Sequence, residues 1–321
     1  MARHGSHSRP VLQSLQNWRS RRPAAVEPPG RPMVVAHRGA SSLAPEHTLA
    51  AYETAIADGA DALECDVRMT RDGHLVCVHD RTVNRTSDGT GLVSELDLRT
   101  LEQMDFSSWH GELPESADHL LPENTYLSGV AADRVDASGG VLTLEMLLGL
   151  VRDSGRDVRL LVETKHPTRY AGLVEKTLVD MLDRFGWAGE VSPLEQQHRA
   201  PDMGNPVMVM SFAPTAVRRI RLLAPDVPTV LLLDRLSPRR RDGILPTGVA
   251  IAGPGLSVLR DDPDFVARAH RRGHPVFVWT VDRPDDVRFV LGLGVDTIIT
   301  DRPRDVRTMV DQRPGPGPDP S

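Results

Sequence analysis

The chain lacks several features that would decide its class at once. It holds two cysteines, Cys65 and Cys77, in 321 residues. Both fall in apolar, strand-like runs, so they form no disulfide framework and read as small core residues of a reduced, cytoplasmic protein. No run of about 18 apolar residues occurs, so no helical membrane span is expected. Arg19, Arg21 and Arg22 suggest a twin-arginine leader, but Pro23-Ala24-Ala25-Val26-Glu27-Pro28-Pro29 behind them is no apolar h-region. A basic excess is missing too: the formal net charge is -6, which argues against nucleic acid as a partner. No Gly-rich phosphate loop follows the first apolar strand, which speaks against an open dinucleotide-binding sheet. No repeat of fixed period runs through the chain.

What is present suits one large soluble domain. Hydrophobic residues make up 40% and charged residues 26%, ordinary values for a chain long enough to bury a sizeable core. Residues 1–31, rich in Arg, Ser, His and Pro, read as a disordered arm, and 313–321 as a disordered tail. Between them, over 32–312, strand and helix patterns alternate. Parallel strands are expected to start near Met33, Ala62, Val158, Val207, Thr229, Val249, Val276 and Asp296. Helices are expected over Glu46–Asp58, Leu98–Met104, Leu144–Val151 with Thr143 as N-cap, Ala171–Phe185, Pro214–Leu223, Asp264–Arg272 and Pro284–Leu291. Thr70-Arg71-Asp72-Gly73 is a hairpin turn that returns Leu75–Val78 as an antiparallel arm. Eight parallel strands with intervening helices is the count of a closed (β/α)8 TIM barrel. The weakly periodic residues of about 80–140, above all 106–140, form a capping insertion after the second strand.

Barrel chemistry sits at the C-terminal ends of the strands, and there the polar residues concentrate. The first strand ends in His37-Arg38, the second in Glu64 and Asp66, the third in Glu163 and Lys165, the seventh in Trp279-Thr280. One residue apart on a strand, Glu64 and Asp66 share a face. Alone, such carboxylates at a strand end would pair with arginines. With Glu163 beside them they point to a hard divalent cation, Mg2+ or Ca2+. His37 and His79 flank this set as a general acid and a general base or nucleophile. Arg38 offers a planar fork for phosphate oxygens and Lys165 a second positive charge. Glu46 reads equally as the acidic start of a helix and as a site residue, and Trp279 equally as a cleft wall and as core. The run Arg239-Arg240-Arg241 reads as a solvated loop.

In order, His37-Arg38-Gly39, Pro45-Glu46-x-Thr48, Glu64-x-Asp66, His79-Asp80, Glu163-x-Lys165 and Gly294-Val295-Asp296-x-Ile298-Ile299-Thr300-Asp301 resemble the glycerophosphodiester phosphodiesterases over about Met33 to Arg307. The resemblance implies a TIM barrel that hydrolyses glycerophosphodiesters to sn-glycerol 3-phosphate and an alcohol. It implies a divalent metal on Glu64, Asp66 and Glu163, catalytic His37 and His79, and a capping insertion after the His-Asp motif. Where that family usually has Pro-Glu-Asn-Thr, this chain has Pro45-Glu46-His47-Thr48, which makes His47 a candidate for supporting the metal site or touching substrate. Two other readings are a lysophospholipase D or sphingomyelinase D-like activity on lipids, and a non-catalytic barrel that binds glycerophosphate ligands.

Overall fold

The computed structural model describes residues 30–108, 139–189, 201–237 and 240–312. The expected arm up to residue 29, the tail from 313, residues 109–138 of the expected insertion and Arg239 lie outside the described residues. Arg31, expected in the disordered arm, is instead tied down: its guanidinium meets Asp61 and Asp311, each at 3.0 Å.

Eight parallel strands make the barrel: β1 (Met33–His37), β2 (Ala62–Met69), β4 (Arg159–Thr164), β5 (Val207–Ser211), β6 (Thr229–Leu233), β7 (Ile251–Pro254), β8 (Phe277–Val278) and β9 (Thr297–Thr300). Their neighbour order is β7, β6, β5, β4, β2, β1, β9, β8. Parallel bridges Ala252 to Val276 and Gly255 to Trp279 bring the two ends together. β3 (Leu75–Cys77) stands off this path, antiparallel to β2, as the Asp72-Gly73 turn requires.

The two-residue period of the strands sorts the chain into layers. Val35, Ala62, Leu161, Val230, Ile251, Phe277 and Ile299 point inward and fill the barrel. Their neighbours Val34, Ala36, Leu63, Cys65, Leu160, Val162 and Ile298 point outward under the helices. Each buried aliphatic of this kind stabilises the fold by roughly 1.5–3 kcal/mol. Two residues further along the same inward face stand His37, Glu64 and Glu163, and four residues further Asp66 and Lys165. The register places His37 beside Glu64, and Asp66 beside Glu163.

The helices cover the outside. They are α1 (Leu49–Ala57), α2 (Leu98–Leu101), α3 (Leu144–Asp153), α4 (Leu173–Arg184), α5 (Pro214–Leu223), α6 (Leu256–Asp261), α7 (Phe265–Arg271), α8 (Pro284–Leu293) and α9 (Pro303–Asp311). The Thr143 cap of α3 forms as expected, its hydroxyl accepting from Met146 N. α1 starts three residues later than expected. Thr48, not the residue before Glu46, is its N-cap, accepting from Ala51 N at 3.2 Å. Pro45-Glu46-His47 is a turn, with His47 in the left-handed region at φ 60°. In the expected insertion, the described residues bury Val83, Val93, Leu101 and Phe106 against Val76, Val78 and Val141. No helix among the described residues is long and apolar enough to cross a membrane.

Candidate active site

The strands β2 and β4 deliver three carboxylates to one point. Glu64, Asp66 and Glu163 are buried, and one ligand oxygen from each lies within 4.8 Å of the others. The Lys165 ammonium sits among them, 3.2 Å from Asp66 and 3.0 Å from Glu163. Burial, the Asp66 charge and Glu163 push Glu64 up to about 8. Burial and Asp66 raise Glu163 to about 7, against the pull of Lys165. Asp66 goes the other way: despite burial, Lys165, His79 and Arg38 hold its carboxyl well below the usual range. Such crowding of hard oxygen donors fits a divalent cation, which relieves the mutual repulsion that raises Glu64 and Glu163.

His37 and His79 each have one ring nitrogen committed to an aspartate. His37 Nδ1 lies 2.7 Å from Asp301 Oδ1, which also accepts from Ser41 Oγ at 2.8 Å. Burial and Arg38 oppose the charged imidazole, but the carboxylates of Asp301 and Glu64 prevail and raise His37 to about 9. His79 Nδ1 lies 2.8 Å from Asp80 Oδ1. Here burial wins, helped by Arg38 and Lys165, and lowers His79 to about 3. Both residues line one cavity, and in each ring Nδ1 is the nitrogen engaged by the aspartate, which leaves Nε2 for chemistry.

The sequence offers Arg38 as a planar fork for phosphate oxygens, and the structure places it at the cavity. Its backbone is left-handed at φ 57°, and its N–H donates to Glu64 Oε2 at 3.0 Å. Its guanidinium is buried against Glu46 at 3.2 Å and Asp66 at 3.1 Å, although the side chain still lines the cavity. Glu46 also accepts two bonds from Arg85, at 2.8 and 2.6 Å. Arg85 in turn donates to Asp80 at 2.7 Å. Burial alone would raise Glu46, but Arg38 and Arg85 hold it at about 2. Its acidity therefore serves this network and not the start of a helix.

His47 is buried, with Nε2 3.0 Å from Asp66 Oδ2 and Nδ1 2.8 Å from the Tyr52 hydroxyl. Burial lowers its pKa, despite the Asp66 hydrogen bond. A neutral ring can donate Nε2–H to the carboxylate, while the Tyr52 hydroxyl beside Nδ1 donates to the Glu64 carbonyl at 3.0 Å. Trp279 lines the cavity, donates Nε1–H to Gly253 O at 2.8 Å and meets Phe212 edge-on at 5.3 Å.

The structure thus brings together every residue singled out in the sequence for this site. It adds Asp301, Asp80, Arg85 and Tyr52, which orient those residues. Asp301 and Asp80 stand at strand ends inside quoted motifs, so position alone could have found them. Arg85 lies in an aperiodic loop with no such signal.

The model of the glycerophosphoryl diester phosphodiesterase family matches residues 37–305. A protein of Mycobacterium tuberculosis named probable glycerophosphodiester phosphodiesterase 1 is 43% identical over 274 residues, covering 85% of this chain and 90% of that one. Glycerophosphodiester phosphodiesterase of Bacillus subtilis is 32% identical, over 86% of this chain and 85% of its own length. The solved structure of an Oleispira antarctica phosphodiesterase in complex with the product sn-glycerol-3-phosphate has the same barrel, with a TM-score of 0.67 at 22% identity over 88% of this chain and 97% of that one. With its barrel and the ordered motifs inside the matched span, the chain belongs to the glycerophosphoryl diester phosphodiesterase family, a family of phosphoric diester hydrolases.

Proposed function

We propose that the protein hydrolyses glycerophosphodiesters to sn-glycerol 3-phosphate and an alcohol, using a divalent cation, Mg2+ or Ca2+, held by Glu64, Asp66 and Glu163. The observation that carries this reading is the meeting of that carboxylate triad with His37 and His79 in one cavity at the barrel mouth. When bound, a dication polarises a phosphoryl oxygen as a Lewis acid. The remaining work falls to the side chains of the chain itself.

Arg38 and Lys165 supply positive charge to the phosphate, and Trp279 walls the cleft. Glu46 and His47 hold Arg38 and Asp66 in place. His37 Nε2 takes the proton of the attacking hydroxyl, the P–O bond to the alcohol breaks, and His79 Nε2 protonates the departing oxygen. The attacking group is water or the glycerol 2-hydroxyl. In the second case a cyclic phosphate forms, and water then opens it with the two histidines exchanging roles. The free site holds its protons the other way round, with His37 charged and His79 neutral. A phosphodiester anion beside His79 favours its charged form, and neutralising Glu64 removes one of the carboxylates that raise His37. Cys65 and Cys77, buried thiols without a disulfide, suit a reducing cytoplasm.

His79→Ala tests the acid role. It is expected to lower sn-glycerol 3-phosphate release by about 10²–10⁴-fold while cation-induced thermal stabilisation persists. Wild-type turnover in this variant would refute the assignment.

A further inference from the structure

Among the described residues, three carboxylates line the catalytic cavity of about 700 Å3, those of Glu64, Glu163 and Asp234. The first two belong to the triad. Asp234 belongs neither to the triad nor to the network beneath it, and it stands just past the end of β6.

The strand period explains its place. Val230 and Leu232 point inward on β6, so Asp234, two residues on, continues that face into the mouth. In the same way Met208 and Met210 lead to Phe212 after β5, and Phe277 leads to Trp279 after β8. Register then sets the level. Leu233 pairs with Pro254, and Gly255 N–H donates to Leu233 O at 2.9 Å, which brings Asp234 beside Gly255. Gly255 is in turn bridged to Trp279. No side chain stands between the acid and the indole there, for a Cβ on Gly255 would meet the six-membered ring of Trp279 at 3.4 Å. The indole is fixed by its hydrogen bond to Gly253 O and by Phe212, which meets it edge-on and is itself open at the mouth, 39% exposed.

Asp234 keeps most of its charge. Its ion pair with the adjacent Arg235 spans 4.0 Å between largely exposed groups, a geometry that neutralises little. A carboxylate beside an aromatic pair suits an organic cation, since aromatic rings attract an ammonium group and the acid balances its charge. The span fits as well. β6 lies two strands from β4, so about 10 Å of sheet separates Asp234 from the triad side. An ammonium four bonds from phosphorus, as in a two-carbon amino alcohol, reaches roughly 5 Å, and contact distances at the two ends take up the rest. Glycerol is uncharged, so a cation on the substrate comes from the alcohol. We propose that Asp234, Phe212 and Trp279 form a subsite for an ammonium group, primary or quaternary, on the leaving alcohol. The enzyme then prefers glycerophosphodiesters of amino alcohols over those of neutral alcohols. The inference rests on the hydrolysis proposed above and adds its substrate class.

The test compares kcat/KM within two isosteric pairs. Glycerophosphocholine against glycerophospho-3,3-dimethylbutanol isolates a quaternary charge, and glycerophosphoethanolamine against glycerophosphopropanol isolates a primary one. Wild type is expected to favour the cationic member of at least one pair by about fivefold or more, and the pair that responds identifies the group recognised. Asp234→Asn and Phe212→Leu are each expected to lower that ratio. Both members of a pair are read on one preparation, so a loss of folded enzyme cancels. Ratios near one in both wild-type pairs, or wild-type ratios in Asp234→Asn, would overturn the proposal. Failure to cleave any of the four diesters would instead overturn the underlying phosphodiesterase reading.

Discussion

His47 occupies a strained backbone position, at φ 60°, where a side chain other than glycine costs roughly 1–2 kcal/mol. The cost is offset by what the ring reaches, the Asp66 carboxylate on one side and Tyr52 on the other. Groups that orient metal ligands typically change metal affinity or activity by about 10–100-fold when removed. His47→Ala should therefore weaken Mg2+ or Ca2+ binding by about that factor in a calorimetric or thermal-shift titration. An unchanged affinity would show that Asp66 is held without it. At this scale the sequence was legible in residue types and strand-end positions, which marked His37, Glu64, Asp66, His79, Glu163 and Lys165. It did not reveal the contacts of Arg38 with Glu46 and Asp66. The Glu46–Arg85–Asp80 chain that takes up its guanidinium is built across loops, and loops carry no period.

The strand β1 and the helix α1 meet at Gly39, which has φ 89°. A Cβ there would lie 2.7 Å from the backbone carbon and the Cβ of Ala51, in the first turn of α1. Gly39→Ala combines an unfavourable backbone region with that overlap, so a loss of about 2 kcal/mol or more is expected. Urea unfolding should show it as a lower midpoint at unchanged slope. A midpoint equal to wild type would mean that the helix moves away freely. Elements with a clear period were legible: the eight parallel strands, the β3 hairpin and the long amphipathic helices. Short or packing-determined elements were not. β7 was expected over Val249–Ala252 but runs Ile251–Pro254, through a Gly-Pro pair that propensity disfavours. Gly253 is admitted because a Cβ there would meet Val230 at 2.9 Å, so the barrel interior selects it. β8 shortens to Phe277–Val278, and the six-residue α6 and the C-terminal α9 were not foreseen. α9 buries Val306 and Val310 and carries Arg307, which meets Asp61 at 2.6 Å, so its position is set by distant partners.

Over the whole molecule, stability is tied to the charge network beneath the mouth. Glu46, ordinarily near 4.5, is held at about 2 because Arg38 and Arg85 outweigh its burial. A carboxyl whose folded pKa is depressed stabilises the fold above its unfolded pKa, and that contribution is lost as pH falls toward the folded value. The shift corresponds to roughly 3 kcal/mol in this mostly buried group. Glu46→Gln should thus lower the urea midpoint most near pH 7, with the gap to wild type closing below about pH 4.5. A gap independent of pH would assign the loss to packing instead.

The central claim is cation-dependent diester hydrolysis at the Glu64, Asp66 and Glu163 triad between His37 and His79. Its most direct measurement is sn-glycerol 3-phosphate release from a glycerophosphodiester by chelator-treated protein, before and after Mg2+ or Ca2+ is returned, in wild type and Glu64→Gln. The account predicts turnover that falls by about 10²-fold or more in chelator, returns with the cation in wild type, and does not return in Glu64→Gln. Full turnover in chelator, or full recovery in the variant, would contradict it.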